Sequence, residues 1–209
     1  MAELIVTDDL PEAVVRLFLE TAPRVVALAG GSTPRASYER LAKLDYPWED
    51  VDVIPTDERC VLPAHPDSNF RMLDEALLSK VPARVLWLAG ESCDADAHDA
   101  EVRELLERLP LDLAILGLGA DGHTASLFPG DPALEERERA VVRVDRGDHP
   151  RLTLTLAVLS SARVAAFVAT GESKRRAVEQ LLSGEDIPAA RIQAPRVMVV
   201  ADREAAPQP

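Results

Sequence analysis

The chain has 209 residues, 47% of them hydrophobic and 4% aromatic, with a formal net charge of −13 at pH 7. That length fits one large domain better than two small ones, so residues 1–209 are expected to form a single domain with residues 203–209 as a frayed tail. The acidic surface argues against nucleic acid or an anionic membrane as the main partner.

No apolar run approaches the roughly 18–20 residues that a membrane helix needs. Cys60 and Cys93 are the only cysteines, too few for a disulfide scaffold or a cysteine metal site, so a reducing compartment is expected. "MAELIVTDDLPEAV" has no basic region followed by an apolar one, and the expected location is cytoplasmic.

In chain order, a helix is expected over 10–22, with Pro11 in its first turn. A strand "RVVALAG" follows at 24–30. The helix over 33–44 opens with Thr33 as N-cap and Pro34 at the first helical position. The strand "VDVIPTD" at 51–57 leads to a helix that starts at Asp67 or Ser68 and runs to 80. The strand "RVLWLAG" at 84–90 precedes a helix over 94–109, and "LDLAILG" at 111–117 reads as the next strand. "RLTLTLA" at 151–157 and "RVAAFVATG" at 163–171 are further strands. A helix over 172–184 stops at Gly184, and the strand "RVMVVAD" occupies 196–202. Strands alternating with helices imply an α/β fold with a mostly parallel sheet and helices on both faces. "RLTLTLAVLSSARVAAFVA" also reads as two adjacent antiparallel strands, which would make the sheet mixed.

Ligands of open α/β sheets sit beyond the carboxyl ends of the strands. After 24–30 comes "AGGSTPR". There Gly30 and Gly31 free backbone N–H groups, Ser32 and Thr33 add hydroxyls, and a helix start adds its positive end: the makings of an anion cradle. After 51–57 stand Asp57, Glu58 and Arg59. After 111–117 comes "GLGADGHTASLFPG", whose glycines let backbone approach a ligand while Asp121 orients His123, a general-base candidate. Lys174, one of three lysines in the chain, falls in the first turn of a helix, where a cation opposes the dipole and points to a bound anion. His65, His98 and His149 read as structural or surface residues. "GLGADG" matches Gly-x-Gly-x-x-Gly, but "HTASLFPGDP" breaks any helix after it, which disfavours a dinucleotide site. A phosphorylated small molecule fits this set best.

"GGSTPR", "TDER…HPDSNF", "GLGADGHTASLFPG", "RLTLTL" and "TGESKR" stand here in the order seen in 6-phosphogluconolactonases. From Ala29 to about Leu182 the chain resembles that family, a branch of the glucosamine-6-phosphate isomerase/deaminase superfamily. The resemblance implies a Rossmann-like three-layer fold and hydrolysis of 6-phospho-D-glucono-1,5-lactone to 6-phosphogluconate in the oxidative pentose phosphate pathway. It implies a sugar-phosphate lactone as the small-molecule partner, with no cofactor and no metal; a monomer is favoured. On this reading His123 is the general base, Asp121 orients it, and Arg59 stabilises the oxyanion or holds sugar hydroxyls. Gly30, Gly31, Ser32, Thr33 and Lys174 hold the phosphate, with Arg151 in addition, and Asp57 and Asn69 contact the sugar or brace Arg59. Deaminases of the superfamily carry a catalytic Glu where this chain has Phe128, and Asp-Glu-Tyr where it has Asp57-Glu58-Arg59; both departures favour the lactonase branch. A deaminase/isomerase and a non-catalytic sugar-phosphate sensor are the alternatives.

Overall fold

The computed structural model describes residues 2–88 and 92–208. Its elements in chain order are β1 (Glu3–Val6), α1 (Leu10–Thr21), β2 (Val25–Leu28), α2 (Ser32–Leu41), β3 (Asp52–Pro55), β4 (Asp57–Arg59), α3 (Asn69–Ala76), β5 (Arg84–Val85), α4 (Ala95–Arg108), β6 (Leu113–Gly117), β7 (Val141–Val144), β8 (Arg151–Leu154), α5 (Leu156–Ser161), β9 (Val164–Ala169), α6 (Arg175–Ser183) and β10 (Arg196–Ala201).

Seven strands form one sheet in the order β1-β10-β9-β6-β2-β3-β5. Every neighbouring pair in it is parallel. Side chains alternate between its faces, as the two-residue period of a strand requires. Ala27, Ala114, Leu116, Ala165 and Phe167 pack on one face with Val102 and Leu105 of α4 and Val178 of α6. Val26, Leu28, Leu113, Ile115 and Val168 pack on the other with Phe18 of α1, Tyr38 of α2 and Leu73 of α3. Burial on both faces is why "RVVALAG" and "LDLAILG" are apolar nearly throughout. The expected α/β class with helices on both faces is what the chain adopts. From β2 the chain winds one way to β3 and β5, and from β6 the other way to β9 and β10. The carboxyl ends of β2 and β6 therefore meet at a topological switch point.

A separate antiparallel sheet, β4-β8-β7, stands beside the large one. It corrects two expectations. The strand at 51–57 divides: β3 ends at Pro55, and Asp57–Arg59 belong to the second sheet. "RLTLTL" and "RVAAFVA" are not adjacent antiparallel strands. Thr155 caps α5 between them by accepting from Val158 N (3.4 Å), and β9 lies in the parallel sheet. The large sheet is thus wholly parallel. β1 and β7 have no counterpart in the sequence reading. The strand expected at 84–90 is confined to Arg84–Val85; its last two residues, Ala89 and Gly90, lie outside the described residues.

Two further expectations change. The segment after β10 is packed rather than frayed, with Ala205 and Ala206 buried. Asp202 accepts from Ala205 N at 2.7 Å, and Arg175 Nη2 donates to Glu204 O at 2.8 Å. Cys60 and Cys93 form a disulfide with Cα atoms 5.2 Å apart, joining the end of β4 to the residue before the N-cap of α4. The inference of a reducing compartment from cysteine count therefore loses its basis.

Candidate active site

A cavity of about 300 Å³ opens at the switch point, lined by Gly30, Gly31, Ser32, Thr33, Asp57, Arg59, Asn69, Gly117, Gly119, His123, Ala125, Arg151 and Lys174, with a few apolar neighbours. Every residue singled out from the sequence as a site candidate lines it except Asp121, which stands behind His123.

The β2 exit supplies the first wall. Gly31 has φ +94° and, in place of the expected Thr33, is the N-cap of α2, which begins at Ser32. The N–H groups of its first turn are left without helical partners at the cavity wall, where they favour an anion. A Cβ on Gly30 would fall 2.0 Å from Asn69 Oδ1, so Gly30 is there for close approach to Asn69. Tyr38 Oη donates to Ala29 O at 2.9 Å beneath this turn, and burial pushes its phenol pKa up.

The second wall is β4 with the start of α3. Glu58, which the sequence reading gave no role, is buried and accepts from Arg59 N (2.7 Å), Asn69 N (2.8 Å), Phe70 N (2.6 Å) and Ser68 Oγ (3.0 Å). Desolvation raises its pKa against these bonds. Glu58 thereby seats the N-terminus of α3, whose cap is Ser68 rather than Asp67. The only sequence signal for it was its place in the "DER" row. Asn69 Nδ2 donates to Asp57 O (2.8 Å), and Asn69 Oδ1 accepts from Arg59 Nη1 (3.2 Å). Asn69 thus braces Arg59, which also donates to Asp67 O at 2.6 Å. Asp57 braces a different partner: its carboxylate accepts from Ser126 Oγ at 2.7 Å, which ties β4 to the loop after β6.

Arg59 and Arg151 are direct partners across the antiparallel β4–β8 pair, so both side chains leave the same face, and both reach the cavity. Like charges in this arrangement are unfavourable. Among the described residues, the Nε of each is buried without a hydrogen-bond partner. Only one arm of Arg151 is neutralised, by Asp148 at 2.5 Å; hydrogen bonds from the His149 amide and then Arg151 hold Asp148 down at about 2. Lys174, at the N-cap of α6, closes the ring of cations. Its turn is fixed by Asp202, which accepts from Gly171 N at 3.0 Å.

The loop after β6 presents the third wall. His123 Nδ1 lies 2.6 Å from Asp121 Oδ1, which also accepts from His123 N at 3.2 Å. Partial burial pushes the Asp121 pKa up, but the ring and amide hydrogen bonds of His123 outweigh it and leave the net shift downward. With Nδ1 engaged, Nε2 is the nitrogen available for chemistry. Gly117 stays open to the cavity, whereas Gly119 and Gly122 serve the loop itself, which corrects the sequence reading for those two. A Cβ on Gly119 would fall 2.1 Å from His123 Nδ1, and one on Gly122 would fall 2.6 Å from Ile187 Cβ. Phe128, singled out above only for the Glu it replaces, lies tilted against the His123 ring with centroids 4.6 Å apart, and Arg146 lies over it at 4.0 Å.

Residues 6–201 match the model of the family described as glucosamine-6-phosphate isomerases/6-phosphogluconolactonase. The chain is 35% identical over 190 residues to a 6-phosphogluconolactonase of Synechocystis, covering 84% of this chain and 78% of that one. It is similar to the crystal structure of 6-phosphogluconolactonase from Thermotoga maritima, with a TM-score of 0.87 and 28% identity over 97% of this chain and 99% of that one. A monomeric glucosamine-6-phosphate deaminase shares the fold at TM-score 0.84 and 21% identity, over 98% of each chain. The matches in sequence and fold agree that the chain belongs to the glucosamine-6-phosphate isomerase/6-phosphogluconolactonase family.

Proposed function

We propose that the protein hydrolyses 6-phospho-D-glucono-1,5-lactone to 6-phosphogluconate, as a step of the oxidative pentose phosphate pathway. The observation that carries this is the His123–Asp121 pair, 2.6 Å apart, on a cavity whose other walls bear Arg59, Arg151, Lys174 and the start of α2. An amide cradle with three cations suits a phosphate, and an oriented imidazole suits activation of water.

In this reading the α2 N-terminus, Thr33 and Lys174 hold the phosphate, which fixes the lactone carbonyl over His123. His123 Nε2 takes a proton from water as its oxygen bonds to C1. The carbonyl electron pair moves onto oxygen, where Arg59 stabilises it; donors of this kind are worth about 3–4 kcal/mol. The pair then returns, the C1–ring-oxygen bond breaks, and His123 gives its proton to the ring oxygen. The carboxylic acid formed loses its own proton to solvent. The reaction as written uses no redox cofactor or metal, because a lactone is already an activated ester.

The test is hydrolysis of freshly generated 6-phosphogluconolactone beside the unphosphorylated lactone and glucosamine 6-phosphate. Acceleration of the phosphorylated lactone alone is expected, with no ammonia from the amino sugar. His123→Ala should lower kcat on the order of 10²–10⁴-fold with little change in KM, and Lys174→Ala should act mainly through KM. Near wild-type kcat in His123→Ala, after subtraction of spontaneous hydrolysis, would remove the general-base role. Ammonia release would move the protein to the deaminase branch.

A further inference from the structure

Outside the catalytic cavity, His65, Asp67 and His149 converge on one point. One ligand atom from each lies within 4.8 Å of the other two. His149 Nε2 is 3.1 Å and His65 Nδ1 is 3.8 Å from Asp67 Oδ2, and the two imidazoles meet edge to face with centroids 5.4 Å apart. Two of the chain's four histidines thus meet at one carboxylate, although 84 residues of sequence separate them. For ligands at about 2.0–2.1 Å from a tetrahedral ion, neighbouring donor atoms stand about 3.3 Å apart. The two spacings to Asp67 Oδ2 lie within about 0.5 Å of that value, and side-chain rotation has to close the remaining one.

The backbone holds this geometry. His65 N donates to Leu62 O (2.9 Å) and Ser68 N to His65 O (3.0 Å), while Ser68 caps α3. On the other arm His149 precedes Pro150, whose carbonyl accepts from Cys60 N at 2.8 Å. Two imidazoles with one carboxylate suit a borderline divalent cation such as Zn²⁺, and suit the all-oxygen preferences of Mg²⁺ or Ca²⁺ poorly. Three protein ligands on a partly exposed rim leave a fourth position for water. Two bonds are given up on ligation: the one His65 Nδ1 accepts from Asp67 N at 3.1 Å, and the His149 Nε2–Asp67 Oδ2 hydrogen bond at 3.1 Å, which shared ligation replaces. That sets this site apart from a closed structural one and implies modest affinity.

We propose that His65, Asp67 and His149 form a binding site for a borderline divalent cation of the Zn²⁺ class that clips the loop after β4 to the β7–β8 connection. The proposal does not rest on the catalytic reading. The clip would bear on the cavity through the backbone: Arg59 is anchored on Asp67 O, and Arg151 follows His149 by two residues. A bound cation would stiffen both arginine-bearing arms without touching substrate.

Equilibrium dialysis of tag-free protein against ZnCl₂, in buffer without thiol or chelator, followed by metal analysis, tests it. Wild type and His123→Ala should each retain one equivalent that His149→Ala and His65→Ala lose. Zn²⁺ should also raise the melting temperature of the first two proteins only. No retained zinc, zinc undiminished in both alanine variants, or zinc lost only in His123→Ala would overturn the proposal. Equal retention of Mg²⁺ or Ca²⁺ would overturn the assignment of metal class. Should an alanine variant fail to fold, His149→Gln and Asp67→Asn give the same comparison.

Discussion

A methyl group at position 119 would stand 2.1 Å from His123 Nδ1 and 2.6 Å from Asp121 Oδ1. Contacts that short force the imidazole or the carboxylate to move, and displacement of a reacting group by about 1 Å can cost on the order of 10²-fold in rate. Gly119→Ala should therefore lower kcat by about that factor while circular dichroism and the melting temperature stay near wild type. A variant with unchanged kcat would show that the Asp121–His123 geometry does not set the rate. Glycine is often read as space for a ligand. At this position it is space for the Asp121–His123 pair, and only the coordinates of the neighbours distinguish the two.

At the scale of elements, Asp112 shows how the floor of the site is held level. Its buried carboxylate accepts from Arg24 N (2.8 Å) and Val25 N (3.2 Å) and pairs with Arg163 Nη1 (3.0 Å). One side chain therefore aligns the amino ends of β2, β6 and β9, the strands whose far ends build the cavity. Asp112→Ala leaves buried donors unpaired and should cost about 1–3 kcal/mol in urea unfolding. The kcat of the folded fraction should hardly change; a large loss of kcat at unchanged stability would contradict this division of labour. The elements legible in the sequence were those whose residues are decided locally or by burial on both faces. β2, β6, β9 and β10 are of this kind, as are α1 and α6 with their Pro11 and Gly184 signals. β4 was not legible, because "DER" has no strand pattern and becomes a strand only by pairing with β8, as Asp57 opposite Thr153. β1 is a four-residue strand with no fully buried side chain, and β7 is equally short and buries only Val141 and Val144, so their hydrophobic signal is faint. The cavity-lining residues were legible because glycines, hydroxyls and charges at strand exits stand out against apolar runs. Glu58 and Phe128 did not stand out, since their roles lie in contacts with Asn69 and His123 that spacing does not reveal.

On the scale of the whole molecule, a surface with net charge −13 repels an anionic substrate at long range, while Arg59, Arg151 and Lys174 attract it at contact. Salt separates these effects. The Debye length falls from about 30 Å at 0.01 M to about 8 Å at 0.15 M, so the distant repulsion is screened first and the partly buried cations last. Adding sodium chloride over that range should leave kcat/KM for the phosphorylated lactone flat or raise it. A steep fall would mean that the cavity's field, not the surface's, governs encounter. The cavity draws on the ends of β2, β4, β6, β8 and β9, so its walls come from positions as far apart as Gly30 and Lys174. During synthesis and refolding, the cavity is incomplete until β2 and the segment that follows β9 are both in place, since its lining runs from Ala29 to Lys174. The full set of cations therefore surrounds the anion-binding start of α2 only after β2, β4, β6, β8 and β9 have come together, so tight capture of a sugar phosphate is expected to report their assembly.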